Sequence, residues 1–250
     1  MGKYLKLFEM HSEYLAFTQT EDFILPNVSY CEDNNEVHYN PYVDPYNGHA
    51  YVDLGLPSGT LWATKNVGAN NITDSGLYFS WGGTTGYTAA QVGTDKNFNW
   101  ADYELGDGQG GAAHMTKYNS TDGKTVLEAE DDAATVNMGG EWHMPSKEQF
   151  EELLNTSYCT NAWVIDYQGS GVNGRLFTSV TDNTKTLFFP ASGSCSNGSV
   201  SGVRFESIVW SLLLNNNNVV SSYHLSTSVS EARLTYYTRC NGYSVRGAIG

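Results

Sequence analysis

The sequence predicts an α+β fold of short strands, two or more short helices and long structured loops. Three observations carry that expectation. Seventeen Tyr and 26 Gly among many Asn, Ser and Thr favour strands and turns over long helices. From Val219, the positions Val219, Tyr223, Leu225, Thr227 and Val229 alternate with Ser222, His224, Ser226 and Ser228, the two-residue period of a strand with one buried face. One helix is marked by its start: Ser146 and Gln149 have capping-box spacing after Pro145, and Phe150, Leu153 and Leu154 recur at helical intervals, which predicts a helix from Lys147 to about Asn155.

In chain order, residues 1–48 read as a small N-terminal unit. It would hold a strand at Tyr4–Phe8, a short helix capped by Ser12, and a hairpin pairing Ile24–Tyr30 with Glu36–Tyr39 across Asp33-Asn34-Asn35. So few residues bury little on their own, so the segment is expected to attach the chain to a neighbour, such as a virion, or to join copies of it. Asn40 to Gly48 reads as a linker. Residues 49–250 then form the main domain. Tyr51–Leu56 and Thr60–Ala63 read as a hairpin across Pro57-Ser58-Gly59, and Gly76–Gly82 as an aromatic strand. Periodicity fades from Gly83 to Asp122, which predicts a long structured loop region. A short helix over Glu130–Val136 and strands at Ala162–Asp166, Arg175–Thr178 and Thr186–Phe189 complete the pattern before the C-terminal strands.

Composition narrows function. The chain has 250 residues, 40% hydrophobic, enough for a real core and one domain with an appendage. A net charge of −14 without a basic patch argues against nucleic acid and anionic membranes as partners. No stretch reaches the roughly 18 apolar residues of a membrane span, and no apolar signal region follows Met1-Gly2-Lys3-Tyr4. Cys31, Cys159, Cys195 and Cys240 are widely spaced and are expected to be free thiols.

Catalytic and metal motifs are weak. Gly106-Asp107-Gly108-Gln109-Gly110-Gly111 matches GxGxxG in form, but no apolar strand precedes it and no amphipathic helix follows, so it reads as a loop. The acidic run Glu128, Glu130, Asp131 and Asp132 reads as a solvated helix start. The six His show no metal-ligand spacing, and no triad or GxSxG is evident. No catalytic residue, metal site or cofactor is expected.

The stretch from Gly202 to Arg246 carries leucines, tyrosines, a His and an Arg among Ser and Asn. These residues read either as core or as a contact surface. An inner face of Val219, Leu225 and Val229 would force His224, Ser226 and Ser228 outward, which favours contact.

Gly139-Gly140-Glu141-Trp142-His143-Met144-Pro145-Ser146, with Asp132-Ala133-Ala134 before it and the capped helix after it, resembles the formylglycine-generating-enzyme branch of the C-type lectin fold. His143 stands where Arg is common and Ser146 where Thr is. Tyr51 to Ala63 resembles that family's opening hairpin. Val209-Trp210-Ser211 and Asn241-Gly242-Tyr243-Ser244-Val245-Arg246 resemble its closing strands. Within the branch, the chain is similar to the variable proteins of diversity-generating retroelements of phages and bacteria, in which adenine-directed mutagenesis rewrites codons near the C-terminus. Gly247-Ala248 departs from the Pro-Val that often follows the closing Arg.

The resemblance implies a C-type lectin-like domain over residues 49–250 with a variable region at about 202–246. Trp210, Tyr223, Leu225, Asn241, Gly242, Val245 and Arg246 would be its framework. The varied, ligand-binding positions would be Leu212, Leu213, Leu214, Asn216, His224, Ser226, Ser228, Arg233, Thr235, Tyr236, Tyr237 and Tyr243. It also implies that the chain is displayed on a phage tail or a cell surface, with a bacterial surface protein or glycan receptor as partner. Two other functions stay open within the same fold: a calcium-dependent glycan-binding lectin, for which the Glu-Pro-Asn motif is missing, and an oxidase for which Cys195 and Cys240 are the only late cysteines.

Overall fold

The computed structural model describes residues 30–33 and 36–39 as backbone strands and residues 46–250 throughout. The chain divides into two units, Met1–Asp44 and Pro45–Gly250. In the first, β1 (Tyr30–Asp33) pairs antiparallel with β2 (Glu36–Tyr39). The expected strand at Tyr4–Phe8 and the helix capped by Ser12 lie outside the described residues.

The second unit is mixed, mostly sheet with few helices. Its opening hairpin forms as expected, β3 (Tyr51–Asp53) against β4 (Leu61–Asn66), with β15 (Arg246–Ile249) on the other side of β4. A second three-stranded sheet runs β6 (Cys159–Val164), β7 (Gly174–Ser179), β8 (Thr186–Pro190). The largest sheet has five strands in the order β13 (Ala232–Thr238), β12 (Ser221–Ser228), β11 (Glu206–Leu214), β14 (Tyr243–Ser244), β5 (Tyr78–Phe79). A small hairpin, β9 (Ser194–Ser196) with β10 (Ser199–Ser201), precedes β11. The aromatic strand at 76–82 shortens to the two residues of β5, and residues 83–122 form loops broken only by single 3-10 turns. No helix among the described residues is long and apolar enough to cross a membrane.

The Gly139–Ser146 motif acts as a brace. The helix α1 (Ala133–Met138) begins at Asp132, whose Oδ1 accepts from the Ala134 and Thr135 amides at 2.8 and 3.0 Å while Oδ2 accepts from Met144 N at 2.8 Å. One carboxylate therefore caps the helix and pins the strand-like segment that follows it. Gly139 and Gly140 turn the chain between them with φ of 69° and 61°, and a Cβ on Gly140 would lie 2.8 Å from the Tyr46 ring, so only glycine fits both. Trp142 is then buried, its indole donating to the Tyr46 carbonyl at 3.1 Å. His143 exchanges backbone bonds of 3.1 and 2.9 Å with Ala248 on β15. The predicted helix follows as α2 (Lys147–Leu154), closed by the Ser146–Gln149 capping box.

The main core joins Trp81, Trp142, Trp210, Phe79, Tyr118, Met144, Tyr243 and Val245. Arg246 is also buried, and among the described residues no carboxylate pairs with it. Its guanidinium donates to Asn66 Oδ1, the Ala63 carbonyl and the Phe188 carbonyl at 2.9–3.0 Å and lies 4.5 Å from the Phe189 ring centre. Burial lowers its pKa to about 9, so it stays charged at neutral pH and ties β15 to β4 and β8. Cys159, Cys195 and Cys240 are free and buried, as expected of thiols.

Candidate functional site: the edge of the five-stranded sheet

The C-terminal stretch folds into β11, β12 and β13, and the strand order decides which side chains are free. β12 is an inner strand, flanked on both sides and covered on both faces at its centre. Its two-residue alternation therefore does not separate core from solvent. His224, expected outward, is 4% exposed. Its ring meets Trp210 at 5.7 Å and Tyr243 at 5.1 Å, and those two rings lie 4.2 Å apart. Ser222 is fully buried beside it, whereas Val229, expected inside, is 71% exposed at the hairpin turn. The cause is register: Trp210 of β11 stands directly opposite His224, so the polar row of β12 lies over the aromatic core.

Two further expected contact residues prove to be core. Leu214 is buried because β11 bends there: its pairing with β12 shifts between Trp210 and Leu214, and the backbone of Leu212 and Leu214 bonds instead to Leu127 and Thr125. Tyr243 is buried against Trp210. Leu212 and Leu213 are half-buried, and Leu212 packs on the main core. Asn216 is exposed in the turn between β11 and β12, where Asn215 Oδ1 accepts from Asn217 N at 3.1 Å.

The other exposed members of the expected set lie on β13, the edge strand. Arg233, Tyr236 and Tyr237 are exposed and Thr235 is half-buried. Neighbouring residues of a strand point to opposite faces, so this is not one patch. Arg233, Thr235 and Tyr237 stand opposite Ser226, His224 and Ser222. They form an outer row on one face, continued by the half-buried Ser226 and Ser228 and floored by His224, Trp210 and Tyr243. Tyr236 lies on the other face opposite Tyr223, their rings edge to face at 5.9 Å. Arg233 pairs with Glu231 at 3.2 Å, both well exposed.

The sequence reading missed two features of this region. Phe205, 75% exposed, sits one residue before Glu206, which pairs with Ser228. It therefore flanks Val229 at the end of the sheet nearest Arg233. Arg239, one residue past β13, is fully buried. Its Nε donates to Tyr103 Oη at 2.5 Å, and its Nη atoms donate to the carbonyls of Tyr118, Val219 and Lys117 at 2.8–2.9 Å. The guanidinium lies between the Trp81 and Tyr103 rings at 5.0 and 5.2 Å. It locks the end of the edge strand to the loop region.

Other candidate chemistry finds a structural use. Carboxylates of Glu128, Glu130 and Asp131 converge, but Lys117 Nζ already sits 2.7, 2.8 and 2.5 Å from them. Those hydrogen bonds, Asp131's first, raise the lysine pKa, so the run is an ion-pair network, not merely a solvated face. Burial pushes the Cys195 and Cys240 thiols up to about 12, far from the thiolate a redox or nucleophilic role needs.

Burial lowers His224 to about 4 from 6.5. Between those values the unfolded chain takes up a proton that the folded chain refuses, so stability is full above about pH 6.5 and is lost as pH falls toward 4. Urea melts should show this loss, about 3 kcal/mol across the window, in the wild type and not in His224→Gln.

No family model, curated protein or solved structure matches the chain.

Proposed function

We propose that the chain is a diversifiable ligand-binding protein, built on a C-type lectin-like domain and related to the variable proteins of diversity-generating retroelements. It would present β13 and its flanks to a bacterial surface receptor. One observation carries the reading: within a stretch whose neighbours are core, the edge strand alone exposes two tyrosines, 52% and 58% accessible, beside an exposed Arg. Large aromatics and Arg are the residues that anchor protein and glycan contacts, and Ser and Asn around them adapt hydrogen bonds. A rigid sheet lets such side chains change without disturbing the core. The binding set proposed is Arg233, Thr235, Tyr236, Tyr237, Ser226 and Ser228 with Asn216, and Phe205 and Val229 at the sheet end. His224, Leu214 and Tyr243 belong to its floor.

A second feature fits the same history. Six buried polar side-chain atoms among the described residues have no hydrogen-bond partner, and four of them belong to β11 or β12: Ser207, Ser222, His224 and Thr227. Buried polar groups are ordinarily satisfied; of the four, His224 alone stands at one of the varied positions, and its unpartnered ring nitrogen is what substitution without selection for packing would leave.

Weak single sites would gain from display in several copies on a phage tail or cell surface. The test is binding of the full chain to panels of bacterial surface proteins and glycans. The variant Arg233→Thr/Tyr236→Thr/Tyr237→Thr should lose at least about tenfold, the effect of removing one strong anchor, while its melting temperature moves little. Undiminished binding by that variant would overturn the assignment. The encoding locus offers an independent check: a reverse transcriptase gene and a near-copy of the final coding bases differing mainly at adenines.

A further inference from the structure

The backbone of β13 is directed as clearly as its side chains. Ser228 N donates to the Glu231 carbonyl at 2.8 Å, and Arg239 N donates to the Val220 carbonyl at 3.0 Å. In an antiparallel pair the residues that bond inward alternate with those that do not. Stepping by two from Glu231 to Arg239, the amides and carbonyls of Arg233, Thr235 and Tyr237 face β12. Those of Ala232, Leu234, Tyr236 and Thr238 face away, to an edge that no strand occupies among the described residues.

Proteins guard such edges with Pro, Lys, bulges or short length. β13 has none of these over the seven residues from Ala232 to Thr238, and it pairs with β12 without a register shift. Arg233 is its one charged guard, and an edge otherwise rich in Tyr and Thr is suited to accept another strand.

The strand is also complementary to itself. We propose that β13 pairs antiparallel with β13 of a second copy, about a two-fold axis at Thr235, so that two five-stranded sheets become one. In that register the outward groups of Leu234 meet those of Tyr236 of the partner subunit. Arg233 lies opposite Tyr237 of the partner subunit on the same face, where guanidinium and ring attract. The strand's one charge faces no like charge, and a two-fold contact of this kind closes at two copies and leaves neither β13 edge free. The Arg233, Thr235 and Tyr237 rows of both copies then form one continuous surface. The pairing stands on edge geometry alone and does not depend on the ligand.

The test uses the full chain with Cys31→Ser, at physiological salt or above because copies with a net charge of −14 repel. At the centre of this register Thr235 meets its own symmetry mate in a pair that is not hydrogen-bonded, with Cα atoms about 4.5 Å apart, within disulfide range. Oxidised Thr235→Cys should therefore become a covalent dimer, and Leu234→Cys should not. Sedimentation should give a dimer for the wild type and for Leu234→Ala. Leu234→Pro, which deletes only an outward N–H, should be a folded monomer by circular dichroism. A monomeric wild type with no Thr235→Cys crosslink overturns the proposal and leaves the edge to a strand from another protein. Crosslinking at Leu234→Cys instead overturns the register and with it the proposal.

Discussion

Replacing Arg239 by Ala is expected to destabilise the domain by about 3 kcal/mol or more, because three buried carbonyls and the Tyr103 hydroxyl lose their donor together. Arg233→Ala, six positions earlier on the same segment, is expected to change stability by no more than about 0.5 kcal/mol. Its ion pair with Glu231 is exposed on both sides. Arg239→Lys should fail as a substitute, since one ammonium cannot replace a planar fork that reaches the carbonyls of Lys117, Tyr118 and Val219 and the Tyr103 hydroxyl together. Urea denaturation of the three variants measures the contrast directly. Equal losses for Arg233→Ala and Arg239→Ala would remove the distinction between frame and edge.

The second large effect is expected at Trp210. Its indole donates to the Phe79 carbonyl at 2.8 Å and its ring carries both Tyr243 and His224. Trp210→Ala empties a fully buried site at about 3–5 kcal/mol, a fall in melting temperature of roughly 6–20 °C for a domain of this size. Because Trp210 floors the outer row of β13, the proposed ligand binding should fall as well, without any contact between Trp210 and ligand. A Trp210→Phe variant, which keeps most of the ring volume, should recover most of the stability while the Phe79 carbonyl loses its donor.

Much of the frame is readable in the sequence because it is local. The Ser146–Gln149 capping box sets the start of α2, Pro57-Ser58-Gly59 sets the opening hairpin, and the lack of periodicity over 83–122 marks its loops. The proposed binding edge is harder to read. The alternation over 219–229 identifies a strand correctly but says nothing of what covers each face, and β12 is covered on both faces at its centre. His224 is misplaced for that reason, the register setting it opposite Trp210. The opposite facing of Tyr236 and Tyr237 follows from strand geometry and is available to anyone who accepts β13 as a strand. Arg239 is different: its partners Tyr103, Lys117 and Tyr118 lie more than a hundred residues away in the chain, and no local pattern announces them. Tyr243 and Leu214 are similarly drawn inward by distant elements.

The measurement that bears most directly on a fixed frame with an exchangeable edge is the melting temperature of Arg233→Thr/Tyr236→Thr/Tyr237→Thr. Threonine keeps strand propensity, and the loss of the Tyr223–Tyr236 contact should lower the melting temperature by less than about 5 °C. A fall as deep as that of Trp210→Ala would show that these side chains hold the fold together, and it would contradict the account.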